Sequence, residues 1–116
     1  MALRSKTGEM DVPYDASHVF EVVLAVMQDL GWGLEASDGS PGKVCCSTPS
    51  TYPKSYGERV EIVVSATEAG RSSITTTSTI KPPMALDTFS VNRKNIERFQ
   101  AAVDDALAAG LGASAG

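Results

Sequence analysis

Histidine is almost missing from this 116-residue chain, and cysteine occurs at one place only. His18 stands alone, so a nucleophile elsewhere has no second imidazole to activate it, and no serine sits in a G-x-S-x-G elbow. Cys45 and Cys46 are adjacent. Successive side chains of a strand point to opposite faces, so a mutual disulfide would strain the peptide. A zinc site would want spaced pairs with further ligands. One thiol is therefore expected in the core and the other on the opposite face, with no metal and no cofactor. Gly31-Trp32-Gly33 lacks the third glycine and the following helix of a phosphate loop. A basic excess is also lacking: the net charge is −4, which argues against a nucleic-acid partner. No apolar run approaches the roughly 20 residues that span a bilayer, so no membrane association is expected. The opening MALRSKTGEMDVP has no apolar stretch of the secretory kind, and the chain reads as cytoplasmic.

What is present is ordinary for a folded protein, with 42% hydrophobic and 21% charged residues. The length suits one domain with a core of its own. We expect a single α+β domain over residues 1–109 and a fraying tail at 110–116. Charge is uneven. The acidic residues of 1–42 outnumber the basic ones, while 43–98 is mildly basic, too mildly to imply a polyanion partner.

Periodicity supplies the elements. Lys6 to Val12 suits a first strand. Asp15 is a candidate N-cap, and Ala16–Leu30 repeats apolar residues at helical spacing (Val19, Phe20, Val23, Val26, Met27), with Gly31 placed for a left-handed cap. Trp32, Leu34 and Ala36 alternate as a half-buried strand. Asp38 to Gly42 is a turn, and Lys43–Thr48 is the next strand. Tyr56–Ala66 sets Val60, Ile62, Val64 and Ala66 on one face. Ser72–Ile80 carries Ile74 and Ile80 on one face and a run of threonines, read as solvent-facing, with a polar groove as the alternative. The last helix starts near Ser90 and buries Ile96, Phe99, Val103 and Leu107. The order β-α-β-β-β-β-α, with hairpin-length turns, predicts a mainly antiparallel sheet of four to five strands with both helices on one face.

Charged pairs such as Glu58 with Glu61, and Asp104 with Asp105, are expected to face water. Around Tyr52, Pro53 and Tyr56, packing over a sheet edge is preferred to a contact surface. The stretch Leu86–Phe99 is less ordinary. Arg93 and Lys94 fall in the first turn of a helix, where acidic residues are favoured. Exposed N–H groups flanked by Asn92, Arg93 and Lys94 would suit a small anion. The preferred reading is internal: Asp87 neutralises Arg93, and Asn92 shapes the entry turn.

Asp87-x-x-x-Val91-Asn92-Arg93, preceded by Thr77-Ser78-Thr79, resembles the C-terminal part of a bacterial family known only as a domain of unknown function. Tyr56-Gly57-Glu58 is similar to the entry into the central strand of small bacterial domains. The resemblance implies a recurring structural unit in which Asp87 and Asn92 organise the turn, and it brings no activity with it.

The expected function is a non-catalytic binding or protein-interaction module, with a homodimer through an edge strand or the threonine-rich face as one form. The alternative is a carrier of a small apolar ligand, with a helix-grip-like cavity lined by Trp32, Val60, Ile62, Ile96, Phe99 and Val103. An enzyme of unrecognised type would draw on Tyr56, Glu58, Asp87, Asn92 and Arg93. The candidate ligand-binding set is thus Tyr56, Glu58, Asp87, Asn92, Arg93 and Lys94, for a small anionic or apolar ligand.

Overall fold

The valine-rich stripe of the first helix and the alternating valines of the central strand meet as those patterns require. The computed structural model describes residues 5–38, 42–49, 57–80 and 91–110. Its elements are β1 (Ser5–Val12), α1 (Ala16–Asp29), β2 (Gly33–Asp38), β3 (Lys43–Ser47), β4 (Glu58–Glu68), β5 (Arg71–Ile80) and α2 (Val91–Ala108). The strands form one sheet in the order β1-β5-β4-β3-β2, antiparallel throughout. Both helices pack on one face, as expected.

The core lies between those layers. Val19, Val22, Val23, Val26 and Met27 of α1 and Phe99, Val103 and Leu107 of α2 cover Val44, Cys46, Val60, Ile62, Val64 and Ile74. Helix α1 ends in a Schellman turn: Gly31 N–H donates to Gln28 O and Trp32 N–H to Met27 O, both at 3.0 Å, with Gly31 at φ 77°. That turn swings Trp32 into the core, where its ring stacks on Phe99 at 5.9 Å between centroids. Helix α2 crosses β1 so closely that a Cβ on Gly8 would lie 2.6 Å from Ile96 Cγ2.

Several expectations need correction. Asp15 stands at the N-cap position, but its side chain makes no cap; Asp15 Oδ1 instead accepts from Gly70 N–H at 3.1 Å and pins the β4–β5 turn. Trp32 precedes β2 rather than belonging to it. Leu34 and Ala36 are exposed, because β2 is an edge strand whose register shifts between them. Ala66 is in phase with Val64 yet exposed, as are residues 65–70 around it. The hairpin there runs beyond the cover of the helices.

The other face of the sheet is polar. Thr7 and Thr77 hydroxyls meet at 2.9 Å, Ser47 Oγ donates to Glu35 at 2.7 Å, and Lys43–Glu61 and Arg59–Glu35 pair at 3.4 and 3.6 Å. Such exposed pairs each contribute about 0–1 kcal/mol. Among the described residues, no helix is long and apolar enough to cross a membrane.

Candidate functional site: a buried polar cluster beneath the second helix

Strands β3, β4 and β5 do not stay apolar along their inward face. Register sets Val64 opposite Ile74, then Ile62 opposite Thr76, Val60 opposite Ser78 and Glu58 opposite Ile80. The face therefore passes from aliphatic to polar within a few residues. Thr48, one residue past β3, joins Glu58 through Thr48 N–H donating to Glu58 O at 2.9 Å. Helix α2 answers with Asn92 and Asn95, which share a face with Ile96 and Phe99 by the i, i+3, i+4 spacing. All of these polar residues are buried, Glu58 to 2% exposure and Thr76 and Ser78 to 0%.

The side chains hold one another. Thr48 Oγ1 donates to Glu58 Oε1 at 2.9 Å and accepts from Glu58 N–H at 2.8 Å. Asn95 Nδ2 donates to Glu58 Oε1 at 2.7 Å and to Ser78 Oγ at 3.2 Å. Ser78 Oγ donates to Asn92 Oδ1 at 2.8 Å. Thr76 Oγ1 is buried with no hydrogen-bond partner. A carboxylate, two carboxamides and three hydroxyls thus lie under the start of α2. Burying such groups is tolerable because most are paired. The arrangement can recognise a polar group by hydrogen bonds in a dry setting, where those bonds count for most.

The structure treats the candidate residues differently. Glu58 and Asn92 are joined through Asn95 and Ser78. Glu58, expected to face water, is buried, because as the first residue of β4 it is in phase with Val60, Ile62 and Val64. Arg93 and Lys94 lie on the exposed side of α2, where Arg93 Nε pairs with Glu97 Oε1 at 3.7 Å. Tyr56 and Asp87 lie outside the described residues, as do Tyr52, Pro53 and Ser90. Whether Asp87 neutralises Arg93 therefore falls outside them too. Sequence reasoning does not assign Thr48, Ser78 or Asn95 to a site and reads Thr76 as solvent-facing, with a polar groove as the alternative; strand phase for Thr76 and Ser78 and helical spacing for Asn95 carry the signal. Thr75, Thr77 and Thr79 do take the outer face, as expected, and Thr76 is the exception.

Other groups behave more simply. Cys45 is half-buried and Cys46 buried, both free and on opposite faces. Cys46 Sγ donates to Val60 O at 3.6 Å, and burial, followed by the nearby Cys45 and Glu35, pushes its thiol up to about 12. The His18 ring lies 5.7 Å from that of Tyr14. Among the described residues no His, Cys, Asp and Glu side chains gather into a metal-binding group. Of the expected cavity lining, Trp32, Val60, Ile62, Phe99 and Val103 lie in one core cluster, while Ile96 is buried against Gly8 of β1; each of the six is at most 5% exposed. A separate groove of about 390 Å³ runs between the C-terminal halves of α1 and α2, floored by Val26, Leu30, Ala102 and Ala106 and edged by Asp29 and Asp105.

No family model matches this sequence, and no curated protein matches it. Solved structures do resemble the fold. The di-domain ARO/CYC protein BexL from the BE-7585A biosynthetic pathway has a TM-score of 0.70 at 12% identity, over 90% of this chain and 46% of that one. Ara h 8.0201 has a TM-score of 0.58 at 12% identity, over 90% of this chain and 99% of its own. The ZhuI aromatase/cyclase from Streptomyces sp. R1128 has a TM-score of 0.55 at 15% identity, over 93% and 88%. At such identities the likeness concerns the fold alone: an antiparallel sheet closed over a long final helix, the helix-grip arrangement.

Proposed function

We propose that this chain binds a small organic molecule between α2 and the sheet. Its apolar body would lie against Trp32 and Phe99, and its polar end would reach the cluster of Glu58, Asn95 and Ser78. The observation that carries this reading is the cluster itself. A domain that only needed a core would complete the inward face with aliphatic residues, as it does at Val64 and Ile74. Here Glu58, Thr76 and Ser78 stand at the end of that face instead, and two carboxamides of α2 face them. The likeness to two aromatase/cyclases supports the reading, since small-molecule chemistry is done on this fold elsewhere.

Trp32, the single tryptophan, is a built-in reporter. Titration with fused-ring aromatic compounds should change its emission saturably. It should also raise the melting temperature with ligand concentration, by about 2.7 kcal/mol of stability at a hundredfold excess over Kd. A panel of aromatic, aliphatic and sterol-sized compounds that moved neither signal would end the ligand reading.

A second reading, pairing of two copies through the β2 edge, has Leu34 in its favour, 51% exposed on that strand. It requires a mass in sedimentation that rises with concentration and stops rising in Leu34→Lys.

A further inference from the structure

We propose that the group received by the cluster is a neutral hydrogen-bond donor, a hydroxyl or phenol, and that carboxylates are turned away. The proposal rests on the ligand reading above and narrows it. Its first basis is the count of hydrogens within the cluster. Both hydrogens of Asn95 Nδ2 are committed, to Glu58 Oε1 and to Ser78 Oγ. Donation to a carboxylate fixes which end of the amide is nitrogen, so the remaining atom, Asn95 Oδ1, is an acceptor. Among the described residues nothing donates to it. The Ser78 hydroxyl hydrogen goes to Asn92 Oδ1, and that of Thr48 goes to Glu58 Oε1. The hydrogens of Asn95 Nδ2, Ser78 Oγ and Thr48 Oγ1 are thus committed, and Asn95 Oδ1 keeps acceptor capacity.

Thr76 is the second basis. Its hydroxyl is fully buried and unpartnered, on the same inward face as Ser78 and one step further along β5, about 7 Å away. Native structures rarely leave such a group alone, and one left alone calls for an account such as a water, an ion or a functional role. A hydroxyl entering between α2 and β5 would donate to a free acceptor and accept from Thr76, satisfying both at once.

Charge supplies the third. Among the described residues, Glu58 is the cluster's single ionisable side chain, at 2% exposure. Arg93 and Lys94 follow Asn92 directly in sequence but face solvent. An anion brought beside Glu58 would meet a like charge where little water screens it. The basic residues that made an anionic ligand attractive in the sequence therefore lie on the wrong side of the helix to receive one here.

The test is a matched series with one apolar body: naphthalene, 2-naphthol and 2-naphthoate, titrated against the full chain by Trp32 fluorescence. The hydroxyl should bind about tenfold tighter than the parent hydrocarbon, the worth of one well-placed hydrogen bond. The carboxylate should bind no better than the hydrocarbon. Thr76→Val should bring 2-naphthol down to the level of naphthalene while leaving naphthalene unchanged, and Thr76→Ser, which keeps the hydroxyl, should restore most of the difference. Equal binding of all three compounds would overturn the proposal while leaving the ligand reading standing. So would tighter binding of 2-naphthoate, or a preference for 2-naphthol that survives Thr76→Val. Failure of all three to bind would remove both.

Discussion

The layer between helices and sheet is built in two ways. Toward the β4–β5 turn, Val64 lies opposite Ile74, and Val19, Val22, Val23 and Met27 close over them with, among the described residues, no buried polar side chain but Ser72. Ser72 spends its hydroxyl on Tyr14 O at 2.9 Å. Toward the start of α2, the same strands present Glu58, Thr76 and Ser78, and the helix presents Asn92 and Asn95. The first half owes its stability to volume filled and area removed from water. The second half owes its stability to pairing and loses it when a partner is removed. One half holds the fold together, and the other is the half to which the polar end of the proposed ligand is assigned.

The largest effect should come from the shared boundary. Phe99 is fully buried and stacked on Trp32, so Phe99→Ala should cost about 3–5 kcal/mol in denaturant unfolding. A loss under 1 kcal/mol would mean that the apolar half is loosely filled. Glu58→Ala should cost about 3 kcal/mol by a different route, because the Thr48 hydroxyl and one Asn95 N–H lose their acceptor. The mechanisms separate in double variants. Glu58→Ala with Asn95→Ala should cost clearly less than the two losses added, whereas Glu58→Ala with Val64→Ala should be nearly additive. Additivity in both pairs would dissolve the distinction between the halves.

That distinction was only partly legible in the sequence. Element order followed from period: Val19 to Leu30 repeats at helical spacing, Val60 to Val64 at strand spacing, and Gly31 stops the helix where its φ of 77° is used. The apolar half could be read because hydrophobicity carries both the period and the face. The polar half could not be read the same way. Glu58, Thr76 and Asn95 have the side chains of surface residues, and only their phase with buried neighbours shows that they point inward. Asp15 shows the complementary failure, since it occupies a cap position but spends its carboxylate on Gly70, far away in the chain. Arg93 and Lys94 drew attention as a charged pair, and the turn of the helix carried them away from Asn92.

Cys46 sits where the halves meet, paired with Val60, which faces Ser78 in turn. Its thiol is pushed from 9.0 up to about 12 in the fold. The native state then keeps a proton that the unfolded chain releases. The stability tied to that proton is complete below pH 9 and declines as pH rises toward 12, by about 1.4 kcal/mol per unit. Urea unfolding at pH 8 and pH 10 should show a steeper loss for the native sequence than for Cys46→Ala. Parallel losses would place the thiol in a wetter setting than its burial indicates.

The smallest effect has the opposite sign. Thr76→Val removes a buried hydroxyl that has no partner and keeps the side chain's volume, so the empty protein should gain about 1 kcal/mol in urea unfolding. In the apolar half the matching change, Val64→Thr, should lose a similar amount by creating the defect that Thr76 already carries. If Thr76→Val were neutral or destabilising, the hydroxyl would have a partner in solution, a bound water being the simplest. If it stabilises the fold and removes the preference for a hydroxyl-bearing ligand, the two results have one cause. On that outcome, the polar half would keep an unsatisfied group that weakens the empty domain because the proposed ligand completes it.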